Sequence, residues 1–133
     1  MRLKNILLVV EDIEKSIAFY KELFGLRVVT DFDGNVILTE GLVLQDRQIW
    51  ERLVEKSVTY GGNASEIYFI ENDLEGFQEK LDNSSFEINY AHRLKTYDWG
   101  QSVIRIYDPD GHMIEIGESM EAVERRKAAN CQE

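Results

Sequence analysis

The sequence predicts an α+β fold made of two copies of one unit, in which a strand and a helix are followed by three more strands. The first observation is a repeat: a short apolar run leads into an aspartate and then an amphipathic helix, once from Ile6 and again from Ile67. The second is that both aspartates stand where a helix N-cap is expected, and that the apolar residues after each aspartate recur at the same helical spacing. The third is size, since 133 residues of which 44% are hydrophobic and 30% charged suit one soluble globular domain.

The first copy, module one, is predicted over residues 1–60. The continuous apolar run at residues 6–10 is typical of a strand buried on both faces. Asp12 caps a helix whose apolar side chains recur at helical spacing up to Phe24. Gly25 ends this helix, because glycine adopts the left-handed C-cap conformation freely. Three strands are then expected at residues 26–30, 35–39 and 41–45.

Module two is predicted over residues 64–118 and repeats that order. A strand leads to Asp73, which caps a second helix, and Ser119 caps a last amphipathic helix that runs to about residue 129. Residues 1–118 are therefore expected to form a single domain, and residues 119–133 a C-terminal helix and tail. The four strands of module two are expected at residues 66–70, 86–92, 101–107 and 113–117.

Charge and cysteine content exclude several classes of function. The net charge of −10 disfavours nucleic acids and anionic membranes, because both bind through basic patches. The single cysteine, Cys131, rules out a disulfide or a thiolate zinc site within one chain. No apolar run approaches the about 20 residues that span a bilayer, so we expect a cytoplasmic protein.

The alternation of side chains along the strands of module two predicts one apolar face and one polar face. Ile104 and Ile106 share a face of their strand, as Ile114 and Ile116 do on the last strand. If helices cover this apolar face, polar and aromatic groups converge on the other, which is typical of a small-molecule pocket. The groups expected there are Glu66, Tyr68, Gln101, Arg105, Tyr107 and Glu115.

Two segments resemble the glyoxalase/bleomycin-resistance/extradiol-dioxygenase proteins, the vicinal oxygen chelate superfamily. They are the opening run from Asn5 to Leu26 and the ending from Trp99 to Ile116, which contains Asp108-Pro109-Asp110-Gly111-His112. The resemblance implies two βαβββ modules whose strands form one cup-shaped mixed sheet, with the helices outside and a small-molecule ligand inside. It also implies a homodimer.

In the metal-using members of this superfamily, two histidines and two glutamates hold one divalent metal. The resemblance places these four positions at Asn5, Gln45, Glu66 and Glu115, so three of the four depart from the pattern. Amide oxygens are weak ligands for zinc or nickel, whereas a hard cation accepts oxygen ligands. The expectation is therefore a single divalent cation at Glu66 and Glu115, or no metal, and the glyoxalase I reaction is not expected.

Each candidate also has a purely structural interpretation. Glu115 could form an ion pair with Arg105, and Glu66 could stay solvated. Asn5 and Gln45 could hydrogen-bond each other or the backbone. His92 could reach the site as an acid, base or ligand, whereas the turn residue His112 is expected to be exposed. Trp99, like Trp50, could simply pack, although Trp99 could also stack on a flat ligand.

Two hypotheses for function follow. The first is an enzyme of lyase, isomerase or dioxygenase type, in which Glu66, Glu115 and His92 are catalytic. Its ligand-binding residues would be Asn5, Gln45, Tyr68, Trp99, Gln101, Arg105 and Tyr107. The second is a protein that binds or sequesters a cationic or aromatic small molecule without chemistry. A further hypothesis is that the C-terminal helix completes the homodimer.

Overall fold

A computed structural model describes residues 1–131 of the chain, which divide into two compact units. The first unit comprises Met1–Gly62 together with Asp108–His112, and the second comprises Asn63–Tyr107 and the residues from Met113 onward. Each unit contains a four-stranded mixed sheet, so the predicted α+β class and the repeated order of strand, helix and three strands are confirmed.

The sheet of the first unit has the strand order β1-β4-β3-β2. Strand β1 pairs in parallel with β4, and the other neighbours are antiparallel. The strands are β1 (Ile6–Val10), β2 (Val28–Asp31), β3 (Asn35–Leu38) and β4 (Leu42–Asp46). Helix α1 (Ile13–Phe24) lies against β4, and helix α2 (Arg47–Val54) lies against β1 and β4.

Helix α1 begins and ends at the residues that the sequence indicates. The Asp12 carboxylate accepts a hydrogen bond from the Lys15 amide, and Gly25 adopts a left-handed conformation with φ of 70°. The buried face of α1 presents Phe19, Tyr20 and Leu23, which are at most 3% exposed. Burial of this apolar face stabilises the helix against the sheet.

The turn Asp108–His112 belongs to the first unit because it is hydrogen-bonded to α1 and β1. The buried Tyr20 hydroxyl donates to Asp108 Oδ2 at 2.7 Å, while the Asp110 and His112 amides donate to Asp108 Oδ1. Burial and the Asp108 carboxylate raise the pKa of Tyr20, so its hydroxyl stays a donor. The prediction that His112 is exposed is wrong, since its Nε2 donates to the Val9 carbonyl at 2.7 Å.

The sheet of the second unit has the order β5-β8-β7-β6, the same arrangement as in the first. Its strands are β5 (Ile67–Ile70), β6 (Asn89–Thr96), β7 (Ser102–Tyr107) and β8 (Met113–Gly117). Helix α3 (Leu74–Asp82) lies against β6 and β7, and α4 (Met120–Cys131) follows β8. The predicted apolar face is confirmed, because the following four residues are at most 1% exposed: Ile104, Ile106, Ile114 and Ile116.

Strand β6 is displaced from its predicted position at residues 86–92. The Phe86 amide donates to Ser84 Oγ, so the chain is still turning there and the strand begins at Asn89. It continues to Thr96, which is paired with Ser102, and the hairpin closes through Tyr97 to Gln101. The extra strand length brings Tyr97 next to β7.

Within residues 1–131, no helix is long and apolar enough to cross a membrane.

The Tyr20–Asp108 hydrogen bond should be a main stabilising contact of the first unit. Tyr20→Phe leaves a buried carboxylate oxygen without its donor, and we expect the free energy of unfolding to fall by about 1–3 kcal/mol in urea denaturation. Tyr60→Phe is the matched control, because the buried Tyr60 hydroxyl has no hydrogen-bond partner among the described residues. Removal of the Tyr60 hydroxyl should lower the free energy of unfolding by less than about 0.5 kcal/mol. Equal losses for the two variants would contradict this assignment.

Candidate functional site

One row of side chains crosses the whole sheet of the second unit. The strand register places Tyr68 opposite Glu115, Glu115 opposite Arg105, and Arg105 opposite His92. These residues come from four different strands, in the order β5, β8, β7 and β6. Directly paired residues lie on the same side of a sheet, so the four side chains share the face opposite the buried isoleucines.

A β-bulge brings His92 to this face. Tyr90 pairs with Ile106, and the register then shifts so that His92 pairs with Arg105. Without the extra residue, Ala91 would pair with Arg105 and His92 would lie on the opposite face. The bulge therefore decides which side of the sheet carries the imidazole.

Arg105 is the cation at the centre of the site. Its Nε donates to Glu66 Oε1 at 2.7 Å, and its Nη2 lies 3.4 Å from Glu115 Oε1. The side chains of Arg105, Glu66 and Glu115 are 24%, 32% and 12% exposed. Both carboxylates therefore lie on the same side of the sheet, and the ion pair of Arg105 with Glu115 is confirmed.

The two carboxyl groups respond to this environment in opposite ways. Burial, the hydrogen bond with Glu66 and repulsion from Glu66 raise the pKa of Glu115 to about 7, although Arg105 opposes the rise. Burial also disfavours the charge on Glu66, but hydrogen bonds from Arg105 and Glu115 outweigh burial and lower its pKa. The pair therefore shares one proton near neutral pH, carried mainly by Glu115.

Tyr97 and His92 complete the surroundings of Arg105. Arg105 Nη1 donates to the Tyr97 hydroxyl at 2.6 Å and lies 3.3 Å from His92 Nε2. His92 Nδ1 is 2.9 Å from the Arg93 carbonyl, which can only accept, so Nδ1 carries the proton. His92 Nε2 is then the acceptor for the Tyr97 hydroxyl, 3.3 Å away.

An aromatic arm, consisting of Tyr97, Trp99 and Gln101, borders the site. The Tyr97 and Trp99 rings are stacked, with centroids 4.4 Å apart and planes 5° from parallel. Trp99 Nε1 donates to Gln101 Oε1 at 3.1 Å, while half of the Trp99 surface stays exposed. The arm therefore presents one fixed aromatic ring to solvent beside the charged groups.

The absence of a side chain at Gly117 leaves space for the side chains of Tyr68 and Gln101. A Cβ at this position would lie 3.2 Å from Tyr68 Cε2, 3.4 Å from Gln101 Nε2 and 3.0 Å from a Val103 methyl. Tyr68 and Gln101 each donate to the Glu118 carbonyl, at 3.1 and 3.2 Å. A larger residue at position 117 would displace these side chains.

Other predicted site residues lie apart from this cluster. The Tyr107 hydroxyl donates to Asn63 Oδ1 at 2.8 Å, at the far end of β7. In the first unit, Gln45 is 3% exposed and accepts a hydrogen bond from the Asn35 side chain at 2.7 Å. Asn5 is exposed and precedes β1, and its Oδ1 lies near Gly41. Whether these residues bind a ligand stays a prediction.

The donor groups do not fit the divalent metal that the superfamily pattern implies. In the second unit, the Arg105 guanidinium already contacts both Glu66 and Glu115, and one of these carboxyls retains a proton near neutral pH. A metal would have to displace both the guanidinium and that proton. Among residues 1–131, no three His, Cys, Asp or Glu side chains are grouped so that they could hold a metal ion. Metal binding by Glu66 and Glu115 stays a prediction that this arrangement does not favour.

Sequence reasoning missed three residues that shape the two units. Tyr97 lies beyond the strand predicted at residues 86–92, because the bulge after Tyr90 interrupts the alternation of side chains that would indicate that β6 continues to Thr96. Asn35, the partner of Gln45, lies on β3 directly opposite it, which a register prediction could have found. Glu118 carries no motif, and only its contacts reveal its importance.

Residues 3–121 match the model of a family described as a glyoxalase-like domain. No curated protein matches the sequence. A protein of unknown function from Agrobacterium tumefaciens str. C58 is 33% identical, with a TM-score of 0.76 over 90% of this chain and 94% of that chain. A glyoxalase-related enzyme from Fulvimarina pelagi is 22% identical, with a TM-score of 0.74 over 90% and 88% of the two chains. Lactoylglutathione lyase from Agrobacterium tumefaciens is 23% identical, with a TM-score of 0.65 over 90% and 95%. The last two identities are low and show a shared fold.

The raised pKa of Glu115 should make the protein less stable as the pH rises from about 4.5 to about 7. The folded state holds this proton up to about pH 7, whereas an unfolded glutamate releases it at its ordinary value of 4.5. Stability is then present below about pH 4.5 and is lost between about pH 4.5 and 7, by up to about 3 kcal/mol. The lowered pKa of Glu66 acts in the opposite sense, at pH below its ordinary value.

Urea denaturation of Glu115→Gln between about pH 5 and pH 8 tests this, because glutamine stays neutral throughout and should flatten the profile. Glu87→Gln, at an exposed position of the same unit, is the control and should keep the wild-type slope. Parallel profiles for the wild type and Glu115→Gln would contradict the assignment.

Proposed function

Because this chain belongs to the glyoxalase-like domain family, within the vicinal oxygen chelate superfamily, we propose that it is a small-molecule enzyme of isomerase or lyase type. The proposed reaction moves a proton next to the carbonyl group of a small substrate and uses protein groups instead of a metal. The observation that carries the proposal is the Glu115 carboxyl, whose pKa of about 7 is set by burial and by Glu66, and which lies beside Arg105.

Glu115 is proposed as the general base. A carboxyl group that titrates near the working pH accepts and returns a proton with little loss in either direction. The ionised Glu115 takes a proton from the carbon next to the carbonyl, and the electron pair of that C–H bond moves toward the carbonyl oxygen. The proposed substrate is a hydroxycarbonyl compound, in which the deprotonated carbon carries a hydroxyl group. That hydroxyl gives its proton to the former carbonyl oxygen, and Glu115 returns the abstracted proton to the former carbonyl carbon. These two transfers complete the isomerisation without an oxidant or reductant.

Arg105 is proposed to stabilise the negative charge that develops on the substrate oxygen. Of its five N–H groups, one is directed to Glu66, two toward Tyr97 and His92, and one toward Glu115. The fifth N–H has no partner among residues 1–131, and we propose that it donates to the oxyanion; the low exposure of the side chain strengthens such a contact. The bound carboxylates fix the guanidinium in place before the substrate arrives.

The Tyr97–His92 pair is proposed as a second proton carrier. The Tyr97 hydroxyl lies between the Arg105 guanidinium and His92 Nε2, so it can give its proton to one substrate oxygen and take the proton of the substrate hydroxyl in return. The Arg93 carbonyl keeps the His92 tautomer in which Nε2 accepts. In this proposal His92 keeps the acid or base role expected from the sequence, with Tyr97 as its partner.

Sequestration of a cationic molecule is not favoured. That hypothesis requires an uncompensated negative charge in the site. Glu66 and Glu115 are instead neutralised by Arg105 and by the shared proton. An added cation would meet the guanidinium at close range.

The proposal is tested by proton exchange into solvent. Hydroxyacetone, glycolaldehyde and related small hydroxycarbonyl compounds are incubated with the protein in D2O containing EDTA, and loss of the C–H signal is followed by NMR. We expect enzyme-dependent exchange that rises with pH around pH 7, as Glu115 ionises. Glu115→Gln should slow it by about 10²–10⁴-fold, since general-base catalysis contributes this much.

Glu87→Gln is again the matched control and should exchange at the wild-type rate. Three outcomes would contradict the proposal: no exchange above buffer across the panel, exchange unaffected by Glu115→Gln, or exchange that appears only in a parallel incubation without EDTA.

A further inference from the structure

Helix α4 is attached to the second unit by very few of its side chains. Val123 is the only buried residue among the described positions of this helix. Arg126 is half exposed, yet it makes three hydrogen bonds, to Glu118 Oε1 at 2.8 Å, to Glu118 Oε2 at 2.9 Å and to the Gly100 carbonyl at 2.9 Å. The bidentate pair with Glu118 is of the stronger, charge-assisted kind.

Glu118 connects the helix to the site. Its side chain is 9% exposed, and its carboxylate also accepts from the Ser102 amide at 2.8 Å. Its backbone carbonyl accepts from Tyr68 and Gln101, which both lie in the site. Hydrogen bonds from Arg126 and Ser102 lower the pKa of Glu118 in spite of burial, so the carboxylate stays charged.

The Gly100 carbonyl lies inside the turn that carries the aromatic arm. Gly100 has a φ of 92°, and its amide donates to the Tyr97 carbonyl at 2.9 Å. A Cβ at Gly100 would lie 3.1 Å from Lys127 Cε and 3.6 Å from a Val123 methyl, so α4 packs directly on this turn. Arg126 thus holds the turn on one side, while Trp99 and Tyr97 stack on each other within it.

We propose that α4 is a positioning element of the site, and that Arg126 is the positioning residue that holds the aromatic arm against Arg105. The chain of contacts runs from Arg126 through Gly100 and Glu118 to Gln101, Trp99 and Tyr97, whose hydroxyl accepts from Arg105 at 2.6 Å. The hypothesis that α4 completes a dimer is separate, because all of these contacts lie within one chain. The inference depends on the proposed function only for the use that the arm has in catalysis.

Removal of the Arg126 guanidinium takes two of the three hydrogen bonds from the Glu118 carboxylate and one from Gly100. The turn then loses its hydrogen bond to α4 and keeps only the packing of Lys127 and Val123, so the stack of Tyr97 on Trp99 is less firmly fixed. A hydrogen bond to a charged group is worth about 1.5–3 kcal/mol, so the unheld arm should sample other conformations about tenfold or more often.

The experiment compares Arg126→Ala, Arg126→Lys and Arg125→Ala in a Trp50→Phe background, where Trp99 is the remaining tryptophan. Near-ultraviolet circular dichroism reports the fixed Tyr97–Trp99 stack, and acrylamide quenching reports the exposure of Trp99. For Arg126→Ala we expect roughly half of the Trp99 dichroism to be lost and quenching to increase about twofold, as a stacked ring becomes mobile. Arg126→Lys keeps the charge but not the bidentate geometry, and it should give an intermediate result.

Arg125→Ala removes an exposed neighbouring arginine from the same helix and should leave both signals unchanged. Wild-type dichroism and quenching in Arg126→Ala would overturn the proposal, as would an equal change in Arg125→Ala. If Arg126→Ala does not fold, wild-type signals in a folded Arg126→Lys would overturn it as well. The readout is optical, so failure of the exchange assay and failure of this inference are distinguishable.

Discussion

The second unit depends on one cation, the Arg105 guanidinium, which contacts two carboxyl groups on a single face of the sheet. Two glutamates cannot both ionise at close range in a poorly solvated site unless positive charge or a shared proton compensates them. Arg105 compensates one charge and the proton on Glu115 compensates the other. This constraint holds Tyr97 and His92 in place as well, because both contact the same guanidinium.

The shared proton gives the site a carboxyl group that titrates near neutral pH, which the proposed reaction requires. An arginine paired with one carboxylate would be a structural ion pair, with each group far from its own titration point. The second carboxylate changes this, because Glu115 has neither a full counter-charge nor full solvation. Its pKa of about 7 results from this incomplete compensation of the Glu115 charge. For the same reason the protein is less stable at a pH where Glu115 is ionised. Structural neighbours share the fold, and in this chain one arginine contacts the carboxyl groups of both Glu66 and Glu115.

Much of the fold could be predicted from the sequence, because local signals agree with each other. Asp12, Gly25 and Asp73 mark helix ends through their own backbone and side-chain chemistry. The alternation on β7 and β8 correctly brings Arg105 and Glu115 to one face. The positions of His92 and Tyr97 could not be predicted in the same way, since they depend on a one-residue bulge and on the length of β6. The role of Glu118 and Arg126 depends on contacts between distant parts of the chain, which leave no local pattern.

The most direct measurement is an NMR titration of the glutamate side-chain carboxyl carbons in metal-free protein, with Glu66→Gln and Glu115→Gln used to assign the two resonances. One carboxyl should titrate near pH 7 and be lost in Glu115→Gln, while the Glu66 carboxyl should titrate below its ordinary value of 4.5. If both carboxyls titrate independently near 4.5, the proton is not shared, and the account of the site is contradicted.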